Sequence, residues 1–407
     1  MIMTQNYVLS RHRSTLLLFL CYAELSIAIA QYCMEKKLDP ICDERQSEFH
    51  LELVQVLMRH GERTPLFKEM YPKDPYNVSS YEPWGVGQLT NQGKLTEYRI
   101  GTMLRQRYNE FLRSIYHPHD IYAVSTDTDR TKMSLQLMLA GLYPPDTIQT
   151  WNSDLRWLAI PTHYVPKRVD MLLKPENCSI YKTALTEVKK MKEVRDKIAI
   201  YKDFFKFFSE KTGLVTEEPL PVYEVYNLLT AQKTMNLTLP EWCTDEVYRK
   251  MQDIIVLEYD IRSYTTQLKR LNGGMLIKKF IDNINVESKH RNSRKMYVYS
   301  GHEVNLAAFV RAHNISEPKI PGYGSTFIFE KLRDEESNFY IRIIFWTGST
   351  EKLTTIKLAG CDEICPLKTY LELVREMIPS DQEMTCLWDN IVRTELLNLF
   401  TENIIRN

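Results

Sequence analysis

The sequence predicts an α/β fold, a mixed and mainly parallel sheet flanked by helices, with a helical insert between two parts of the core. Three observations carry that expectation. Short, nearly uncharged apolar runs at Leu53–Met58, Ile121–Val124 and Met296–Ser300 each end in a polar turn that leads into a helical pattern, the rhythm of strands covered on both faces. Between about Trp151 and Asn285 strand-like runs give way to charged helical periodicity. Beyond it, Phe327–Leu332 and Asn338–Trp346 alternate around a charged turn, as an antiparallel pair does.

In chain order, residues 1–30 read as a signal peptide: Arg11, His12 and Arg13 precede the apolar Leu16–Ala23, and Ala28-Ile29-Ala30 fits a cleavage site before Gln31. No uncharged stretch approaches the ~20 residues that span a bilayer, so no integral membrane anchor is expected. Residues 31–47 form a polar leader. The α/β catalytic core is assigned to 48–150 and 286–390, the insert to 151–285 and a tail to 391–407, where Ile391–Ile405 reads as an amphipathic packing helix. Lys+Arg 52 balances Asp+Glu 52, which excludes a net basic field for nucleic acid and makes any phosphate affinity local. Eight cysteines, seven of them beyond the signal segment, and sequons at Asn77, Asn177, Asn236 and Asn314 agree with a secreted, extracellular route on which a lysosomal destination stays open.

The first strand delivers Arg59, His60 and Arg63 into a turn broken by Gly61 and Pro65. Tyr71–Gly87, dense in Pro, Tyr, Asn and Gly, is expected to be an irregular loop shaping a pocket rim. Leu89–Gly93 then caps a scaffold helix running to Arg113. The second strand leads to Arg130, with Asp127 or Asp129 as the cap of a helix over Thr131–Gly141. Within the insert, Ala184–Lys211 and Thr244–Leu271 read as helical, and Gly273-Gly274 as the stop of a long helix. The third strand presents His302 and Glu303 before a helix over Val304–Val310. Gly360-Cys361-Asp-Glu-Ile-Cys365-Pro can close a tight disulfide loop before a helix over Leu367–Met377.

Three strand ends thus offer Arg59, His60 and Arg63, then Arg130, then His302 and Glu303. Ligands of parallel sheets bind at such ends. Guanidinium forks suit the equatorial oxygens of a transferring phosphoryl group, and nearby positive charge keeps an imidazole neutral and nucleophilic. A carboxylic acid beside bound phosphate has its pKa raised by the like charge, so Glu303 can protonate a leaving alkoxide. No metal or cofactor is called for.

Arg59-His60-Gly61-Glu62-Arg63-Thr64-Pro65 resembles the signature of the histidine acid phosphatases, particularly the secreted and lysosomal animal enzymes and their insect venom relatives. The likeness runs from about Glu48 to Cys386. It includes Leu89-Thr-x-x-Gly, Ser125-Thr-Asp-x-Asp-Arg130, Leu142-Tyr-Pro-Pro, Ile160-Pro-x-His-x-Val-Pro, Arg270-Leu-x-Gly-Gly, Tyr299-Ser-x-His302 and Gly360-Cys-x-x-x-Cys-Pro. The resemblance implies a fold of the histidine phosphatase and phosphoglycerate mutase type. It also implies a phosphomonoesterase with an acidic optimum and small phosphate monoesters as partners. His60 would be the phosphorylated nucleophile, Arg59, Arg63, Arg130 and His302 the phosphate ligands, and Glu303 the proton donor where the commoner pattern has Asp. It pairs Cys178 with Cys386 and Cys361 with Cys365, and leaves the pairing of Cys33, Cys42 and Cys243 open. Ala231 and Thr326 stand where a further pair of cysteines is usual.

Two other readings use the same residues: a secreted phosphate-binding protein with weak turnover, and a specialised inositol-phosphate or lysophospholipid phosphatase differing at the pocket rim. A homodimer is compatible with either.

Overall fold

β1 (His50–Arg59) lies at the middle of the sheet and is apolar on both sides. The computed structural model describes residues 49–287, 294–348 and 352–384. The expected signal peptide, leader, tail and Cys386 lie outside the described residues. α1 (Asn91–Arg107), β2 (Ile121–Thr126), α2 (Asp129–Leu142) and β3 (His163–Val165) follow β1. The insert then contributes α3 (Ser179–Lys190), α4 (Lys192–Ala199), α5 (Lys202–Thr212), α6 (Pro219–Thr234), α7 (Asp245–Arg262) and α8 (Thr266–Lys269). The chain returns through α9 (Met275–Glu287), β4 (Met296–Gly301) and α10 (Glu303–Ala312). It ends in β5 (Thr326–Arg333), β6 (Phe339–Trp346), β7 (Leu353–Ile356), β8 (Ile364–Pro366), α11 (Leu367–Val374) and the short α12 (Asp381–Met384).

The sheet order is β3-β2-β4-β1-β5-β6-β7, with β8 on β6. β1, β2, β3 and β4 run parallel, while β5 to β8 pair antiparallel, as the two halves of the sequence pattern require. The two-residue period of β1 divides the core. Leu53 and Leu57 face α9 and α10, in a layer with Phe280, Phe309 and Phe327, whereas Val54, Val56 and Met58 face α1 and α2, against Ile100, Leu104 and Leu139. The polar Gln55 is tolerated on the first face because its amide donates to the Phe280 carbonyl at 2.9 Å and accepts from Asn283 at 2.7 Å.

Several local expectations are corrected. α1 ends at Arg107 rather than Arg113, because the Arg105 guanidinium donates to the carbonyls of Asn109, Leu112 and Arg113 and folds the chain back. α2 starts at Asp129 after Thr128, and neither aspartate is its cap residue; Asp127 instead binds the Lys132 ammonium at 2.5 Å. Gly273-Gly274 does not stop a helix. Arg270–Gly274 forms a π-turn continuing into α9, and the glycines admit two backbones: a Cβ at Gly273 would lie 2.2 Å from the Ala308 oxygen, and one at Gly274 1.9 Å from that of Met377. The span 151–285 is not helical throughout, since β3 pairs with β2 and α9 packs Leu276, Ile277 and Phe280 on the core. The remaining insert helices have their own core, around Phe208, Val222, Leu229, Met251 and Ile255.

Cys361 and Cys365 are joined in a disulfide, Cys178 is disulfide-bonded, and Cys243 is free. Asn77, Asn236 and Asn314 are exposed, whereas the Asn177 amide donates to the carbonyls of Lys167 and Asp170, both at 2.8 Å. Among the described residues no helix is long and apolar enough to cross a membrane.

α1 and α2 cross at Gly101 and Gly141, where a Cβ on Gly101 would meet the Met138 carbonyl at 1.9 Å. Gly101→Ala gains helix propensity but forces the helices apart, so a net loss of about 1–3 kcal/mol is expected in urea unfolding. An unchanged midpoint would show that the crossing does not depend on that contact.

Candidate active site

The parallel strands β1, β2 and β4 end side by side, in a register that sets Arg59 opposite Gly301 and Ser125 opposite Ser300. Their next residues therefore project into one place. The His60 amide donates to the Gly301 carbonyl at 3.1 Å, and the Gly61 amide donates to the Ser134 hydroxyl of α2 at 3.3 Å. Gly61 is needed here, because a Cβ would come 2.4 Å from the Gly93 oxygen at the start of α1. The six residues named at the strand ends are thereby brought together, five of them nearly buried and Arg130 half-buried.

Hydrogen-bond accounting fixes the tautomers of both histidines. His60 Nδ1 lies 2.8 Å from the Gly61 carbonyl, which can only accept, so Nδ1 carries the proton and the Nε2 lone pair is left for an electrophile. The Thr131 hydroxyl donates to the carbonyls of Thr128 and Thr126, so Thr126 Oγ1 donates to Thr131 at 2.8 Å and accepts from His302 Nε2 at 3.0 Å. His302 Nδ1 then accepts from Arg130 Nη2 at 3.3 Å. The two rings meet edge to face, with centroids 5.5 Å apart.

Each arginine is held differently. Arg63 makes a bidentate pair with buried Glu69, at 2.8 and 2.6 Å. Arg59 donates to the Pro321 carbonyl at 2.6 Å, lies 4.1 Å from the Tyr323 ring centroid, and approaches Glu303 Oε2 at 3.5 Å. Arg130 meets the neutral His302 ring rather than a carboxylate among the described residues; burial, then the Arg63 charge, pushes its guanidinium down to about 10. Tyr223 from α6 donates to Glu303 Oε1.

The resulting field is cationic. Burial first, and then the charges of Arg130 and Arg59, depress the His60 imidazole well below its ordinary 6.5, and burial with Arg130 does the same to His302. Burial alone would raise the Glu303 carboxyl, but the Arg59 charge and the Tyr223 hydroxyl outweigh it and hold the group below the usual carboxylate range. The free site thus holds Glu303 as a carboxylate, and the protonated form requires an anion to offset Arg59. A neutral imidazole with a free Nε2, ringed by guanidinium groups beside a carboxyl, can accept a phosphoryl group and return a proton to its leaving oxygen.

Glu69, Tyr223 and Tyr323 were not singled out in the sequence, and Thr126 entered only as a member of the Ser125–Arg130 motif. Glu69 and Tyr323 stand in loop segments without periodicity, and Tyr223 lies in an insert helix whose spacing carries no sign of a distant acid. The Tyr71–Gly87 loop carries two buried tyrosines and is tied to α6 through Gln232, which donates to Asp74 and to the Tyr81 hydroxyl.

A family model described as the histidine phosphatase superfamily (branch 2) matches residues 50–346. The chain is 38% identical over 341 residues to a venom acid phosphatase of Apis mellifera, covering 83% of this chain and 87% of that protein. It is 34% identical over 342 residues to the lysosomal acid phosphatase of Rattus norvegicus, with 83% and 80% covered. Among solved structures, a Hafnia alvei phytase in complex with tartrate superposes with a TM-score of 0.62 at 16% identity, covering 82% of this chain and 98% of that one, a likeness of fold alone.

Because its pKa is depressed, His60 should stay neutral as pH falls through its ordinary 6.5. The unfolded chain takes up the proton that the folded one refuses, so the contribution of this ring to stability is present above 6.5 and is lost as pH falls toward the folded pKa. With 15N-labelled histidine, the His60 ring nitrogens should keep the shifts of the neutral tautomer well below that value. A midpoint near 6.5 would mean that the guanidinium groups exert no such field.

Proposed function

The chain belongs to branch 2 of the histidine phosphatase superfamily and is a phosphoric monoester hydrolase, and on that premise we propose that it acts at acidic pH through a phosphohistidine on His60. The observation that carries this reading is the tautomer of His60, whose Nδ1 is tied to its own loop, leaving the Nε2 lone pair to an electrophile on a ring beside the guanidinium groups. Arg59, Arg63, Arg130 and His302 surround the phosphoryl oxygens. Nε2 attacks phosphorus, the bond to the leaving oxygen breaks, and Glu303 supplies the proton that the alkoxide needs. A water then attacks phosphorus, its proton passes to Glu303, and the P–N bond breaks.

The acidic optimum follows from the same charges. A phosphate dianion offsets Arg59 and repels the Glu303 carboxylate, so the carboxyl takes up its proton in the complex, and more readily at low pH, while burial, the largest cause of its depressed pKa, favours the neutral form of His60. The secretory or lysosomal destination is supported by the N-terminal pattern, by the disulfides and by venom and lysosomal relatives. Substrates are small phosphate monoesters.

His60→Ala should abolish turnover of p-nitrophenyl phosphate and the acid-labile phosphoenzyme trapped by rapid quench, with an unchanged fold by circular dichroism. Retention of a tenth of the activity would remove His60 as nucleophile. Arg130→Ala is the cleaner test of the cage, because removing Arg63 would strand buried Glu69. It should lower kcat/KM on the order of 100-fold, roughly 3 kcal/mol of transition-state stabilisation. Unchanged kinetics would make Arg130 a bystander.

A further inference from the structure

Glu303 is one methylene longer than the aspartate commoner in this position, and its carboxyl is met by a side chain from outside the α/β core. The Tyr223 hydroxyl, on α6 of the insert, donates to Glu303 Oε1, and the whole phenol is buried. Its ring is fixed by α7, which α3 braces in turn. The Tyr259 ring lies edge-on with centroids 6.0 Å apart, and the Arg262 guanidinium lies 5.5 Å from the Tyr223 centroid. Arg262 is in turn held by Glu258 at 2.8 Å, and its carbonyl accepts from the Tyr181 hydroxyl of α3 at 3.0 Å. An aspartate would draw the carboxyl back by about 1.5 Å, one carbon–carbon bond, out of the reach of this phenol.

We propose that Tyr223 is the positioning residue of the proton donor, holding Glu303 Oε1 so that Oε2, on the Arg59 side, carries the proton to the leaving oxygen. This rests on the reading of Glu303 as general acid. Burial and the neighbouring carboxylate keep the phenol protonated, so it can serve as a standing donor. A proton on Oε1 would displace that donor, whereas Oε2 faces Arg59 Nε at 3.5 Å, a contact that bound phosphate competes for. The other groups facing the carboxyl are Arg63, His302, Arg130 from α2, Tyr259 from α7 and Tyr323 from the turn before β5. In the first half-reaction the Oε2 proton moves to the bridging oxygen as the P–O bond breaks and the Nε2–P bond forms. In the second, water attacks, its proton returns to Oε2 and the Nε2–P bond breaks.

Tyr223→Phe removes the hydroxyl and keeps the packed ring. It should lower kcat for alkyl phosphates on the order of tenfold while barely changing activated aryl phosphates, whose leaving groups need no proton. Loss of a donor to the carboxylate raises the Glu303 pKa, so the basic limb of the kcat profile should move to higher pH, a shift that a merely structural role would not produce. Glu303→Asp, which withdraws from the phenol, should move the same limb in the same direction, and the double variant should add nothing further. An unchanged leaving-group slope and limb in Tyr223→Phe, or additive effects in the double variant, would overturn the proposal. If Glu303→Gln fails to steepen the leaving-group dependence, the general-acid reading falls and this inference with it. If Glu303→Gln steepens it and Tyr223→Phe does not, the positioning role alone falls.

Discussion

Three guanidinium groups gathered in the protein interior around one imidazole are the constraint that the site answers to. Such a concentration of like charge is unfavourable out of water unless each member finds a counter-charge or a ligand. The fold compensates unevenly. Arg63 is neutralised by Glu69, while Arg59 is shared among a carbonyl, a ring face and a distant carboxylate oxygen. Arg130 has only a neutral histidine beside it. The deficit is greatest beside the reactive imidazole, so an anion arriving there relieves what the fold leaves unpaid.

The mixed sheet divides this labour. Its parallel strands carry the reactive groups, since their carboxyl ends converge, while the turn before antiparallel β5 brings the Pro321 carbonyl and the Tyr323 ring that steady Arg59. The insert contributes through Tyr223, so a region that supplies none of the six strand-end residues still reaches the site.

The strand ends were legible in the sequence because local pattern and chemistry coincide there: a short, mostly apolar run, then a polar turn that carries Arg-His, His-Glu or a lone arginine. The antiparallel pair was legible through its alternation. What failed were signals whose meaning depends on distant backbone. Gly273-Gly274 reads locally as a stop, yet its missing side chains serve contacts with Ala308 and Met377. Arg105 was a helical residue in the pattern, and only the chain folding back gives it three carbonyls to bind. Glu69, Tyr223 and Tyr323 were invisible for the same reason, because an ordinary glutamate or tyrosine acquires a role only when a buried partner reaches it.

The central place of β1 also bears on how the chain is made. Its neighbours are β4 and β5, and Arg59 pairs with Gly301, roughly 240 residues later, which at ~5–20 residues per second is on the order of tens of seconds of synthesis. Throughout that interval the buried central strand has neither partner, while α1, α2 and the insert helices can already form from local contacts. The strand that ends in His60 is therefore among the last to be enclosed, and a chain arrested before β4 presents its sticky centre to chaperones and to other chains.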